Sequence, residues 1–212
     1  MQNQLIEYAS NRSPILFEDR TDAGKKLSKL VAKLNYHIDQ YIAIPMGGIP
    51  VAMEFESTRE LLLCPSKKIT HSKGSIFGIG ALDIFGNPLI DNKNQFISTN
   101  IDEMISQARL EQLSTISKVT TTRCNMKGLD GKKVAIIDDG ISTGYTMMAA
   151  ISSLLFESKP SNLYCISPVI SAHGLHNIIS VYPDVIFVGI YYSTDKVFIV
   201  DSFYNSFERV SM

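Results

Sequence analysis

The stretch Lys133–Thr146 decides the fold. It reads Lys-Val-Ala-Ile-Ile-Asp-Asp-Gly-Ile-Ser-Thr-Gly-Tyr-Thr. Four apolar residues predict a buried strand, and two acidic residues and a turn rich in Gly and hydroxyl groups follow it. Apolar residues then recur at helical spacing, at Met147, Ala150, Ile151, Leu154 and Leu155. The stretch therefore predicts a strand, a polar loop and a helix in immediate succession.

The loop between this strand and helix has the chemistry of an anion site. Backbone N–H groups at a helix N-terminus attract phosphate, and Ser142, Thr143 and Thr146 add hydroxyl groups. Asp138 and Asp139 repel a phosphate, so we expect them to face a hydroxyl-rich part of the same ligand or a cation. A ligand with a phosphate at one end and a sugar diol or a metal beside it satisfies both requirements.

Composition places the chain among ordinary globular proteins. Of its 212 residues, 45% are hydrophobic and 19% charged, and the net charge of -1 gives no reason to expect a nucleic acid or an acidic membrane as partner. No linker or repeat divides the chain, which predicts a single domain over residues 1–212. The sequence shows neither a leader pattern nor an apolar run of membrane length, so a cytoplasmic protein is expected. Three cysteines without metal-ligand spacing are interpreted as small buried hydrophobes.

A second strand leads into a second glycine loop. Tyr41 to Ile44 is apolar, and Pro45-Met46-Gly47-Gly48 follows it. In a parallel α/β sheet both loops open at the carboxyl edge of the strands, where ligands bind. The alternative is a simple tight turn between strand and helix.

A basic, polar segment follows a third apolar strand, Leu61 to Cys64. The segment of residues 65–75 contains three lysines and a histidine, and it is interpreted either as a solvated loop or as a flexible lid that closes positive charge over a polyphosphate. Residues 76–98 contain short β pieces between turn residues, which predict an inserted β-hairpin or meander.

Further features concern the remaining helices and the C-terminal region. Thr21 is the expected N-cap of a first amphipathic helix, Asn100 that of a helix over residues 100–118, and residues 172–181 predict another short helix. Asp19 and Arg20 form either a surface pair at the helix start or part of a site. The last group is aromatic and apolar: Phe198 and Val200 read as core or edge strand, while Tyr204 and Phe207 are either core or a platform that stacks on a planar base.

The segment Val134 to Thr146 resembles the signature of type I phosphoribosyltransferases, which use 5-phosphoribosyl 1-diphosphate (PRPP). Apolar strand, acid pair and a loop that ends Thr-Gly-x-Thr all match. Over most of its length the chain also resembles a subgroup of uncharacterised bacterial and archaeal members of this family. This resemblance rests on Phe17 to Gly24, Pro45 to Ala52, Lys67-Lys68 and the ending Phe203 to Phe207.

The resemblance implies an α/β fold, a parallel sheet flanked by helices with a Rossmann-like core, and transfer of a phosphoribosyl group to or from a nitrogenous base with pyrophosphate as co-product. Asp138, Asp139 and Lys68 would be catalytic, and Asp138 and Asp139 would hold the ribose hydroxyls and Mg²⁺. The 5′-phosphate would lie on Gly140, Ile141, Ser142, Thr143, Gly144, Tyr145 and Thr146. The pyrophosphate would lie on Met46, Gly47, Gly48, Lys67 and Lys68. Similar proteins are commonly homodimers.

The chain departs from the family pattern at three positions. Met46 replaces an Arg of the subgroup and removes one positive charge from the pyrophosphate loop, and Lys67 replaces another Arg and loses its bidentate geometry. Ser142 stands where enzymes of 6-oxopurine salvage have an Asp, which counts against hypoxanthine or guanine as acceptor.

Three other functions are alternatives to transfer, and the sequence excludes one of them. Met46 keeps open a non-catalytic or regulatory protein that binds PRPP or a nucleotide. A phosphoacceptor receiver domain has paired acids on its first strand, whereas 137 residues precede the pair in this chain. A Walker NTPase is excluded, since no Gly-Lys-Ser/Thr occurs.

Overall fold

A computed structural model describes residues 4–6, 16–55, 60–70, 78–90, 100–118, 124–194 and 200–205. Its strands are β1 Gln4–Ile6, β2 Gln40–Ala43, β3 Leu62–Leu63, β4 Lys67–Thr70, β5 Gly78–Leu82, β6 Pro88–Ile90, β7 Lys133–Ile137, β8 Asn162–Ile166, β9 Val169–Ser171, β10 Ile186–Gly189 and β11 Tyr191–Ser193. Its helices are α1 Arg20–Lys33, α2 Gly48–Ala52, α3 Ile101–Ile116, α4 Tyr145–Glu157 and α5 Ala172–Val181. Six strands form one parallel sheet in the order β1-β10-β8-β7-β2-β3. The predicted α/β class is confirmed.

Strand β7 lies inside this sheet and is buried on both faces. Val134 and Ile136 pack into a cluster with α4 and α5, whereas Ala135 and Ile137 pack into a second cluster with α1 and α2. Successive side chains of a strand alternate between the two faces, so four consecutive apolar residues supply both cores. This is the physical reason that the sequence shows a continuous apolar run.

Five described helices flank the strands. Among them, α1 and α2 cover one face of the parallel sheet, α4 and α5 cover the other, and α3 packs beside strands β4 and β5. No helix in the described part of the chain is long and apolar enough to span a membrane.

A second, antiparallel sheet is inserted after β3. Its order is β4-β5-β6, and Ile69, Ile79 and Leu82 pack on Ile105 and Ala108 of α3. The predicted β insertion is thereby confirmed for residues 78–90. The interpretation of residues 65–75 as a loop is wrong over Lys67–Thr70, which pair with β5 as a strand. Residues 71–77 and 91–99, including the predicted β piece over residues 95–97, lie outside the described residues.

The first helix begins before the predicted cap. Asp19 has extended backbone angles, and its carboxylate accepts a hydrogen bond of 2.7 Å from the N–H of Asp22. The expectation that Thr21 caps the helix is therefore wrong, because Asp19 offers the same geometry two residues earlier. Asn100 does occupy the cap position of α3, although its side chain makes no capping hydrogen bond.

The C-terminal aromatic residues are partly described. Residues 195–199 and 206–212, which include Phe198 and Phe207, lie outside the described part, and a short 3₁₀ turn covers Val200–Phe203. Tyr204 is buried and its ring packs on Phe17 with centroids 5.5 Å apart. This contradicts the interpretation of Tyr204 as a platform for a base, since a buried ring packed on core aromatics offers no open face.

The three cysteines are free thiols. Cys64 and Cys165 are fully buried and Cys124 is half-buried. Burial raises the pKa of the Cys64 thiol to about 11 and raises that of Cys165 further. Both buried thiols therefore stay protonated near neutral pH, as expected of small core hydrophobes.

Candidate functional site

A cleft opens at the carboxyl end of β7. It is lined by Lys68, Asp138, Asp139, Gly140, Ile141, Ser142, Thr143, Gly144, Thr146 and Met147. Gly144 has a φ of 84° and forms the N-cap of α4, so the loop turns sharply into the helix at a residue without a side chain. Loop residues predicted to hold a phosphate thus meet around one cavity, except Tyr145, whose side chain is buried.

The loop is held from behind by β9 and α5. The N–H of Ile141 donates to the carbonyl oxygen of Val169 at 2.8 Å, and the side chain of Asn177 donates to the carbonyl oxygen of Thr143 at 3.0 Å. The hydroxyl of Ser171 donates to the carbonyl oxygen of Ser142. The bonds from Ser171 and Asn177 hold the carbonyl oxygens of Ser142 and Thr143 on protein donors, which keeps these negative ends away from an anion in the cleft, while the bond from Ile141 ties the loop to β9.

The glycine loop after β2 packs directly on the end of β7. The N–H of Ile44 donates to the carbonyl oxygen of Ile137 at 2.9 Å. A Cβ atom at Gly48 would lie 2.5 Å from that same oxygen, and one at Gly47 would collide with the carboxylate of Asp139. The two glycines are therefore required for close approach of the two loops. Met46 follows a cis peptide bond after Pro45 and is half-buried.

The two acidic residues have different surroundings. Burial, and then the neighbouring charge of Asp139, raise the pKa of Asp138 well above its ordinary value of 3.8. Asp139 instead forms an ion pair with Arg20, whose Nη2 lies 2.6 Å and whose Nε lies 2.7 Å from Oδ2. The site thus holds one carboxyl that resists ionisation and one that is paired with a buried cation.

The two lysines of β4 lie on different sides. Lys68 lines the cleft, whereas Lys67 forms an ion pair of 2.7 Å with Glu111 of α3. Adjacent side chains of a strand point to opposite faces, which separates the pair. Among the predicted lysines, the structure brings Lys68 to the candidate site.

Comparison with known proteins gives the site a context. No family model matches the chain. Proteins from two strains of Mycobacterium tuberculosis, each named "Putative phosphoribosyl transferase", are 29% identical to it over 143 residues, which is 64% of this chain and 32% of theirs. The chain is similar to proteins named as putative phosphoribosyltransferases. The family resemblance predicted from the motif is confirmed, and the match spans about a third of the length of these relatives.

A solved structure supports the fold. The TT1426 protein from Thermus thermophilus superposes with a TM-score of 0.62 at 22% sequence identity, and the match covers 93% of this chain and 94% of that one. Likeness at this level of identity establishes the shared architecture alone.

The acid pair fits the Mg²⁺ that phosphoribosyltransferases are expected to use. Asp138 and Asp139 lie side by side, and a bound cation would offset the burial and the like charge that raise the pKa of Asp138. Carboxylate oxygens are ligands that Mg²⁺ prefers, and Mg²⁺ commonly takes one or two of them together with water and substrate oxygens. In the part of the chain that the structure describes, no cluster of three or more His, Cys, Asp or Glu forms a closed metal cage. The donor set suits a cation that is bound together with a phosphorylated substrate.

The structure also places residues at the site whose roles sequence reasoning missed. The sequence left Arg20 between a surface pair and a site, and its ion pair with Asp139 places it at the site. Tyr204 donates from its hydroxyl to the carbonyl oxygen of Asp139 at 2.8 Å. Ser171 and Asn177 support the loop from behind. No local pattern marks these contacts, because each joins segments far apart in the chain.

Proposed function

We propose that this protein transfers the phosphoribosyl group of PRPP to or from a nitrogenous base, with pyrophosphate as co-product. The observation that carries the proposal is the arrangement of one cleft, in which the Gly140–Gly144 loop, the acid pair and Lys68 converge. The kinship with proteins named as phosphoribosyltransferases supports it. The sequence departures leave the base open.

The 5′-phosphate is assigned to the loop before α4. Thr143, Gly144 and Thr146 line the cleft at the N-terminus of a 13-residue helix. The helix dipole and the N–H groups of the first turn favour a dianion there. The hydroxyl groups add neutral donors that do not depend on pH.

The ribose is assigned to the acid pair. Carboxylates repel the phosphate groups but accept hydrogen bonds from the 2′- and 3′-hydroxyls, so Asp138 and Asp139 suit the middle of the ligand. Mg²⁺ bound with PRPP would supply positive charge to the pyrophosphate as it leaves. Asp138 and Asp139 are the residues that would hold it.

The reaction requires one bond to break and one to form. The bond between C1′ and the pyrophosphate oxygen breaks, the acceptor nitrogen bonds to C1′, and the acceptor N–H proton is released. Positive charge develops on the ribose as pyrophosphate leaves, and the carboxylate of Asp139 stabilises it. Lys68 and the backbone at Gly47 and Gly48 are assigned to the departing pyrophosphate, because Lys68 lines the same cleft and the two glycines pack against the end of β7 beside Asp139.

The test is a pyrophosphate-release assay with Mg²⁺, PRPP and a panel of purine, pyrimidine and pyridine bases. We expect release that depends on one base or a few related bases. The double variant Asp138→Asn, Asp139→Asn should abolish PRPP binding measured by calorimetry. Unchanged affinity of that variant would show that the site is wrongly assigned.

One observation favours a second function, binding of PRPP or a nucleotide without transfer. Met46 stands in the glycine loop and brings no positive charge to the leaving group. In that case calorimetry would show tight binding of PRPP or of a nucleoside monophosphate, and no base in the panel would release pyrophosphate.

A further inference from the structure

Arg20 and Asp139 form an ion pair between segments that lie 119 residues apart. The side chain of Arg20 is 10% exposed and that of Asp139 is 14% exposed. Both Nε and Nη2 of Arg20 reach the same atom, Oδ2 of Asp139. The paired atom is thus oriented by two donors, and the carboxylate plane is constrained.

The position of Arg20 is itself fixed by its surroundings. It is the first residue of α1, directly after the cap Asp19, whose carboxylate holds the N–H of Asp22. Its guanidinium lies over the ring of Tyr204, 5.6 Å from the centroid. A capped helix start and a ring contact restrict the rotamers of this side chain.

Asp139 is held on its backbone side as well. The hydroxyl of Tyr204 donates to its carbonyl oxygen at 2.8 Å. Tyr204 is anchored in turn, because Leu16 and Phe17 donate from their N–H groups to the carbonyl oxygen of Phe203, and Asn205 donates to that of Phe17. Residues 16–20 and 203–205 therefore meet at Asp139, whereas the phosphate loop is held by β9 and α5.

We infer that Arg20 is a positioning residue, which holds Oδ2 of Asp139 and directs Oδ1 of that carboxylate towards the ribose hydroxyls and the bound cation. The inference rests on the proposed function, because it assigns Asp139 to the ribose and the cation. Arg20 acts through Asp139 and makes no contact with the reacting atoms in this assignment.

The physical consequence of losing Arg20 is specific. Without the two donors, the carboxylate of Asp139 is free to rotate, and its negative charge beside Asp138 is no longer offset by the guanidinium. Loss of a group that orients a metal or ligand contact typically lowers affinity or activity about 10- to 100-fold. The phosphate loop keeps its own support from β9 and α5, so its affinity for a simple anion should stay the same.

The experiment compares two ligands on the same full-length variants by calorimetry. The probes are PRPP with Mg²⁺, which needs Asp139, and inorganic phosphate, which needs the loop. The variants are Arg20→Gln and Arg20→Lys, and the matched control is Lys29→Met, which removes an exposed cation from the same helix. Thermal unfolding of each variant checks that it is folded.

For Arg20→Gln we expect the Kd for PRPP to rise about 10-fold or more while the Kd for phosphate changes by less than about 2-fold. Arg20→Lys should recover part of the affinity, because it keeps the charge but loses the fork. Lys29→Met should match the wild type for both ligands.

Two results would overturn the inference. One is a wild-type Kd for PRPP in Arg20→Gln, and the other is an equal loss for PRPP and phosphate, which would indicate general damage to the fold. If Arg20→Gln does not fold, Arg20→Lys decides by the same ratio of the two affinities. Wild-type protein that binds phosphate but not PRPP would contradict the proposed function, and this inference with it.

Discussion

Gly144 and Gly174 are in backbone contact at the starts of α4 and α5. A Cβ atom on Gly144 would lie 2.8 Å from the carbonyl oxygen of Gly174, and one on Gly174 would lie 2.5 Å from the carbonyl oxygen of Ser142. Neither neighbour is a flexible side chain, so neither gives way easily. The shape of the candidate phosphate loop therefore depends on the absence of side chains at two positions 30 residues apart.

Gly144→Ala should weaken both the fold and anion binding. The φ of 84° costs an L-residue about 1–2 kcal/mol, and the collision with Gly174 displaces the loop in addition. The matched control is Gly128→Ala, where φ is 77° but no atom lies within 4 Å of the added Cβ. Thermal unfolding should show a loss in both variants, and phosphate affinity by calorimetry should fall in Gly144→Ala alone. Equal phosphate affinity of the two variants would contradict the role given to this contact.

Gly174→Ala should lower phosphate affinity although alanine favours helices. In an exposed helix interior this change stabilises by about 1 kcal/mol, but here the new methyl group meets the backbone of Ser142. We expect the loop to move and the Kd for phosphate to rise by several-fold. A more stable variant with wild-type phosphate affinity would show that the loop tolerates the methyl group.

Lys68→Met should impair transfer far more than Lys67→Met. Lys68 lines the cleft, and removal of one donor that stabilises developing charge at a reacting centre lowers kcat about 100-fold or more. Lys67 forms a partly exposed ion pair with Glu111, and such pairs contribute about 0–1 kcal/mol to stability. Pyrophosphate release measured for both variants gives the comparison. Similar losses of activity in the two variants would indicate that Lys67 also contacts the pyrophosphate, as the sequence resemblance implied.

Asp138→Asn should raise stability at alkaline pH and leave it unchanged in acid. The pKa of Asp138 in the folded protein is raised well above 3.8, first by burial and then by Asp139. Between the pKa of Asp138 in the unfolded chain and its raised pKa in the folded protein, the folded state holds a proton that the unfolded state has lost. Stability therefore falls as pH rises through this window. Asparagine avoids this loss and keeps an acceptor for the N–H of Asp139, which lies 2.9 Å from Oδ1.

Thermal unfolding without metal at pH 4 and pH 8 tests this expectation. The unfolding temperature of Asp138→Asn should exceed that of the wild type at pH 8, and the two should converge at pH 4. Asp184→Asn removes an exposed carboxylate and serves as control, with the same small effect at both pH values. A wild-type unfolding temperature for Asp138→Asn at pH 8 would contradict the raised pKa.

The sequence by itself determined the strand β7, the acid pair, the loop and helix α4. Each cue lies within 25 consecutive residues: an apolar run buried on both faces, a glycine that turns the chain and a helical period. Local sterics and burial decide such elements, so spacing along the chain is sufficient. The same holds for the glycine loop after β2 and for α5, whose bounds match the predicted helix over residues 172–181.

Tertiary structure alone decided which other side chains reach the acid pair. Arg20 and Asp139 lie 119 residues apart in the sequence, and Tyr204 and Asp139 lie 65 residues apart. No periodicity in the sequence encodes either separation. The separation of Lys67 from Lys68 follows from the pairing of β4 with β5, which set the face of each side chain and turned an expected loop into a strand. Local patterns determine where strands, turns and helices form. Contacts between distant segments depend instead on how the strands are ordered and which faces they present.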